Sequence, residues 1–163
     1  MIATPRAPAE VGPVVTLHPG DVHCAERGVR LETLLGSCVA IVLTDPRRSL
    51  GAMCHVIHAG APPAGATARQ SVYGDVALGT MYRLLSARGI VPALCEAYVY
   101  GGGNMFPTMC RDRHVGTANI DWAFAALAQD GIALAGHDVG GTVYRRLGWT
   151  VGPDAPQVVA CEV

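Results

Sequence analysis

The sequence predicts a mixed α/β or α+β single domain with two main helices. Three observations lead there. Short β-branched and apolar runs alternate with glycine- and proline-rich turns. Two other segments carry helical spacing and end at glycine. The chain has 163 residues, one domain's length, and can bury a core without a disulfide or metal staple.

Met1–Pro13 holds three prolines and little pattern, and is expected to be a flexible tail before a domain over 14–163. Val14–Leu17 is a short strand-like run, and His18-Pro19-Gly20-Asp21 is a turn signal; His18 and His23 are expected in loops without a role. Val29–Leu35 is followed by Gly36-Ser37 and then by the β-prone run Cys38–Leu43. Asp45-Pro46 has turn chemistry, so Cys38–Leu43 and Gly51–Ile57 read as a β-hairpin. Ala59–Thr67 is a Gly/Pro/Ala loop. Tyr73–Arg88 has a helical stripe stopped by Gly89. Ala93–Tyr100 reads as a strand running into Gly101-Gly102-Gly103, and Asn104–His114 as loop. Asn119–Asp130 is the second helix, with Asn119 as its N-cap. Ile132–Ala135, Thr142–Leu147 and Val158–Glu162 read as strands, with His137–Gly141 a turn.

Composition narrows the function classes. Half the residues are hydrophobic and 15% are charged, which excludes a disordered chain or a charged helical rod. All twelve basic residues are arginine, so no lysine mechanism is available. A formal net charge of −1 argues against nucleic acid. The six cysteines, at 24, 38, 54, 95, 110 and 161, form no CxxC, which argues against a zinc ribbon or redox pair. With no leader-like apolar stretch and no transmembrane-length window, a cytoplasmic chain with free thiols, not inserted in a membrane, is expected.

The hairpin is where chemistry concentrates. A turn centred on Pro46-Arg47 would pair Cys38 directly with His55, with Cβ atoms roughly 4.5–5.5 Å apart. A two-residue slip would leave them diagonal, and a one-residue slip would put them on opposite faces. As a pair, a neighbouring imidazolium would lower the thiol pKa, and the same His could protonate a leaving amine and then activate water. Amides around Gly36, Ser37 and Cys38 would be the oxyanion support. The alternative is plain packing, since a lone Cys or His in an apolar strand commonly fills a core. Strand parity sends Cys54 and His55, and His55 and His58, to opposite faces, which disfavours a metal site. Gly101–Asn104 is a weak phosphate-loop signal, because GxGxxG is absent. Asp138 reads as turn chemistry, and Met53, Met81 and Met105 as core fillers.

Thr33-Leu34-Leu35-Gly36-Ser37-Cys38-Val39-Ala40, Asp45 and Gly51-Ala52-Met53-Cys54-His55 together resemble the chemoreceptor glutamine deamidase (CheD) family of bacterial chemotaxis. The resemblance continues through Pro19-Gly20-Asp21, Tyr73, Asp75, Ala77, Tyr100–Phe106, Gly116, Asn119, Asp138–Gly141 and Arg145 or Arg146. It implies an α/β sandwich of mixed or antiparallel sheet and a Cys–His amidohydrolase acting on glutamines of methyl-accepting chemotaxis receptors. A response-regulator phosphatase is an implied partner in some bacteria, and no cofactor is implied. A non-catalytic adaptor binding receptors or that phosphatase is the rival. The family's nucleophile falls on Cys38, its acid/base on His55, and a third member, a threonine, on Thr33. Some members carry that threonine one residue further from the cysteine, where this chain has Glu32. The chain also departs at Tyr98, where the family often has lysine, and at Thr117-Ala118, where it often has charged residues.

Overall fold

The computed structural model describes residues 12–66, 69–109 and 114–162. The expected tail therefore lies outside the described residues except at Gly12 and Pro13, whose Pro13 carbonyl accepts from the Arg30 amide at 2.8 Å.

Among the described residues, nine strands and two α-helices follow one another as β1 (Val14–Thr16), β2 (Val22–Glu26), β3 (Arg30–Leu35), β4 (Val39–Thr44), β5 (Leu50–Val56), α1 (Gly74–Ala87), β6 (Glu96–Gly101), α2 (Val115–Gln129), β7 (Ala133–Val139), β8 (Tyr144–Thr150) and β9 (Gln157–Cys161). They build two mixed sheets, ordered β1-β3-β8-β9 and β2-β5-β4-β6-β7. Among the described strands, β1–β3 and β6–β7 pair in parallel and the other pairs are antiparallel. The α/β sandwich with two main helices expected from the sequence is the fold observed, arranged as three layers.

The sequence explains the layering. β4 reads VAIVLT and is buried throughout, as a strand covered on both faces must be. One face of β4, β5 and β6 packs Ile41, Cys54 and Val99 against Ala77, Met81 and Leu85 of α1 and Ala123 and Leu127 of α2. The other face packs Ala40, Val42, Met53 and Tyr98 against Leu31, Leu35, Leu147 and Trp149 of the four-stranded sheet. β3 is covered on one side only, and it alternates accordingly: Leu31, Thr33 and Leu35 are buried, while Arg30, Glu32 and Leu34 face outward. Among the described residues, no helix is long and apolar enough to cross a membrane.

Four expectations need correcting. Val22–Glu26 is an edge strand, so His23 lies on β2 and not in a loop; its polar, short-side-chain sequence hides the strand signal. β7 runs through Val139, so His137 and Asp138 belong to a strand, and the turn falls at Gly141-Thr142, with Gly140 and Gly141 both at positive φ. α2 begins at Val115, capped by His114, whose Nδ1 accepts from the Gly116 amide at 3.0 Å; Asn119 is inside the helix and fully buried. The β4–β5 pairing joins Val39 to Val56 and Ala40 to His55, two residues away from the register of a Pro46-Arg47 turn. The cause is local. The Asp45 carboxylate accepts from the Ser49 and Leu50 amides and the Ser49 hydroxyl, the Asp45 carbonyl accepts from the Arg48 amide, and Arg48 takes φ 52°, which lengthens the loop.

Candidate functional site

Thr33, Cys38 and His55 lie on the interior face between the two sheets. Cys38 immediately precedes β4 and shares the parity of Ala40, which pairs with His55, so Cys38 and His55 are diagonal neighbours on one face. Such neighbours sit about 7–8 Å apart along the ladder, a span that a long or aromatic side chain such as histidine can bridge. Thr33 comes from the opposite sheet. Its Oγ1 lies 2.7 Å from His55 Nδ1 and donates to the Leu17 carbonyl at 2.8 Å. Glu32 points to the outer face, where it accepts from Arg30 Nε at 2.7 Å. That outer face carries an open groove of about 490 Å³ lined by Arg30, Glu32, Leu34, Arg146 and Val159. It lies on the far side of the sheet from His55.

The hydrogen bonds define a tautomer. A hydroxyl has one proton, and the Thr33 proton goes to Leu17, so Thr33 must accept from His55 Nδ1–H. In the neutral ring the other nitrogen, Nε2, then carries a lone pair. Burial holds His55 neutral, lowering its pKa from 6.5 to about 4; Asp21 opposes this and His18 adds to it. The His18–Asp21 turn is bound to the His55 backbone, the Gly20 amide donating to its carbonyl and its amide donating to the Asp21 carbonyl. Burial raises the half-buried Cys38 thiol, while the thiol's own backbone amide pulls the other way. Desolvation thus disfavours the charged form of each group.

The Gly36–Cys38 loop is held from three directions. The Gly103 amide donates to the Gly36 carbonyl at 2.9 Å and the Gly102 amide to the Cys38 carbonyl at 2.8 Å. Asn119 Nδ2 donates to the carbonyls of Ser37 and Ile57, both at 3.0 Å. The triple glycine is a bracket for this loop. Gly101 sits at φ 107°, and a Cβ there would run into the Cys38 carbonyl. Arg145, buried on β8, holds the bracket from behind. It donates to the Gly140 carbonyl at 2.7 Å and Gly101 carbonyl at 3.5 Å and pairs with Asp138. Asp138 thus belongs to an ion pair as well as to the strand.

The remaining cysteines do other things. Cys54 faces the helices, fully buried, with its thiol pushed up to about 12 by burial. Cys24, Cys38, Cys54, Cys95 and Cys161 are free thiols, and Cys110 is outside the described residues. His58 is exposed, its ring 5.2 Å from that of Tyr73. Met53 and Met81 are core residues; Met105 is half-buried. Reading the sequence missed Asn119 as a support and underread the glycines. The available signal was two glycine-bearing segments, Gly36-Ser37 and Gly101–Gly103, each beside a strand end, as close backbone approach requires.

Two mixed sheets with a half-buried cysteine and a threonine-tethered histidine at one end of the shared core define a thiol-bearing α/β sandwich. Residues 60–152, more than half the chain, match the model of CheD chemotactic sensory transduction, and the chain belongs to that family. It is 35% identical over 139 residues to a probable chemoreceptor glutamine deamidase CheD 2 of Albidiferax ferrireducens, covering 82% of this chain and 79% of that one. It is 36% identical over 150 residues to a probable chemoreceptor glutamine deamidase CheD of Pseudomonas syringae, covering 88% and 80%. A probable chemoreceptor glutamine deamidase CheD 2 of Geobacter sulfurreducens is 34% identical over 137 residues, at 83% and 82% coverage. Those names mention chemoreceptors and no phosphatase. In fold, the chain is similar to a crystal structure of a Neisseria meningitidis protein of family DUF152, with a TM-score of 0.53 and 12% identity over 86% of this chain and 76% of that one.

Proposed function

We propose that this chain is a chemoreceptor glutamine deamidase working in the cytoplasm, with Cys38 as nucleophile and His55 as acid/base. The observation that carries the mechanism is the Thr33–His55 hydrogen bond. With Nδ1–H committed to Thr33, only Nε2 is left to exchange protons with the thiol. The names of the relatives supply the substrate class.

The chemistry balances with these groups alone. Cys38 Sγ passes its proton to His55 Nε2 and adds to the side-chain carboxamide carbon of a receptor glutamine. The oxyanion is held by the amides of Ser37 and Cys38; neither has a backbone acceptor among the described residues. The protonated His55 delivers its proton to the departing nitrogen, which leaves as ammonia, and a thioester remains. His55 then takes a proton from water as the hydroxide adds to the thioester. Collapse expels the Cys38 sulfur, which regains the proton, and the product is a glutamate side chain. Thr33 orients the ring throughout.

The test is ammonia release from a receptor fragment by wild type and by Cys38→Ala, with folding of the variant checked by circular dichroism. The variant should fold, still bind the fragment, and release no ammonia. A folded variant that keeps releasing ammonia would remove Cys38 from the mechanism. A wild type that binds and releases none would leave the adaptor reading.

A further inference from the structure

We infer that Asn119 is a positioning residue for the reaction, fixing the direction of the Cys38 amide that receives the oxyanion. The inference rests on the deamidase reading above. Asn119 lies inside α2, fully buried, and its Nδ2 donates to two carbonyls, those of Ser37 and Ile57, at 3.0 Å each. These belong to the two segments that carry the reacting groups. Ser37 precedes Cys38, and Ile57 directly follows the strand that holds His55. A flipped amide would set Oδ1 against both carbonyls, so the donor orientation is fixed by the partners themselves.

The consequence lies in the peptide plane. The Ser37 carbonyl and the Cys38 N–H belong to one peptide unit, and in a trans unit they point in opposite directions; no cis peptide occurs among the described residues. Asn119 draws the carbonyl toward α2, so the Cys38 N–H is turned away from the helix. That N–H favours the charged form of the Cys38 thiol. The flanking planes are fixed in the same manner, the Gly36 carbonyl by the Gly103 amide and the Cys38 carbonyl by the Gly102 amide. Asn119 is the side chain in this set. Its Oδ1 is buried without a partner among the described residues, a cost that an apolar residue at this helix position would not carry.

An oxyanion donor matters for attack on an amide and not for displacement at a saturated carbon. Asn119→Ala should therefore lower kcat for receptor deamidation roughly 100-fold, with KM near wild type. The rate of Cys38 alkylation by iodoacetamide, read by peptide mapping, should stay near wild type. Unchanged kcat overturns the inference. So does a change in alkylation in step with kcat, which would mean general disordering of the loop.

If Asn119→Ala does not fold, the wild-type protein decides. A receptor peptide carrying an aldehyde in place of the target carboxamide forms a hemithioacetal with Cys38, whose oxygen occupies the oxyanion position. The Cys38 amide proton should then move downfield in the NMR spectrum, with the Asn119 side-chain amide protons still slow to exchange. A Cys38 amide that does not move, or Asn119 amide protons that exchange freely, overturns it. Cys38→Ala run in parallel separates the two levels. If that variant still deamidates, the deamidase mechanism fails; if it is dead while Asn119→Ala is fully active, only the role of Asn119 fails.

Discussion

The Thr33 hydroxyl spends its one proton on the Leu17 carbonyl and its lone pair on His55, which makes it the most informative side chain in the site. Thr33→Val keeps the shape and removes both bonds. It leaves a buried ring N–H and a carbonyl unpaired, a cost of about 1–3 kcal/mol. We expect a lower urea midpoint and a kcat reduced roughly 10–100-fold, because the ring is free to turn its base away. The His55 pKa sets a pH dependence. It is lowered from 6.5 to about 4 on folding, so below 6.5 the unfolded chain binds a proton that the folded chain refuses. Stability from this group is present above 6.5, declines as pH falls, and is gone once pH passes about 4. Melting curves of wild type and His55→Gln should diverge in that window, with the wild type the steeper. At this scale much was legible in the sequence. Cys38 and His55 stand out by residue type, and strand parity separates Thr33 from Glu32. The protonation state was not legible, since it follows from burial between two sheets that no local pattern reveals.

Three backbone segments meet at the site: the loop before β4, the glycines after β6 and the first turns of α2. Gly101 is the tightest of these junctions, because a side chain there would both oppose φ 107° and collide with the Cys38 carbonyl. Gly101→Ala should cost more than about 1 kcal/mol in thermal or urea unfolding and abolish deamidation, since the displaced group is the nucleophile's own peptide. Retention of both stability and activity would show that the bracket is dispensable. Elements with strong patterns, such as α1 with Ala77, Met81 and Leu85 inward, were readable. β2 and the start of α2 were not. β2 is an edge strand without a β-branched run, and α2 opens on Val115-Gly116, where glycine serves close approach to Gly102 rather than helix propensity.

The site is assembled only when the whole molecule is. His55 belongs to the five-stranded sheet and Thr33 to the four-stranded one, so their bond depends on the packing of Leu31, Leu35, Met53 and Trp149 between them. Leu31→Ala, at a fully buried position, should destabilise by about 2–5 kcal/mol, read by urea unfolding with Trp149 fluorescence as reporter. The sandwich follows from patterning, as β4 is apolar on both faces and β3 on one. The assignment of strands to two separate sheets depends on long-range pairing, such as β3 with β8, which turn chemistry does not encode. In the proposed mechanism Cys38 converts receptor glutamine to glutamate. Mass spectrometry of a chemoreceptor fragment incubated with wild type or Cys38→Ala tests it most directly. Wild type should leave the fixed amide-to-acid mass increase on particular glutamine-containing peptides, and Cys38→Ala should leave them unchanged. Identical receptor peptides after both incubations, shifted or not, would contradict it.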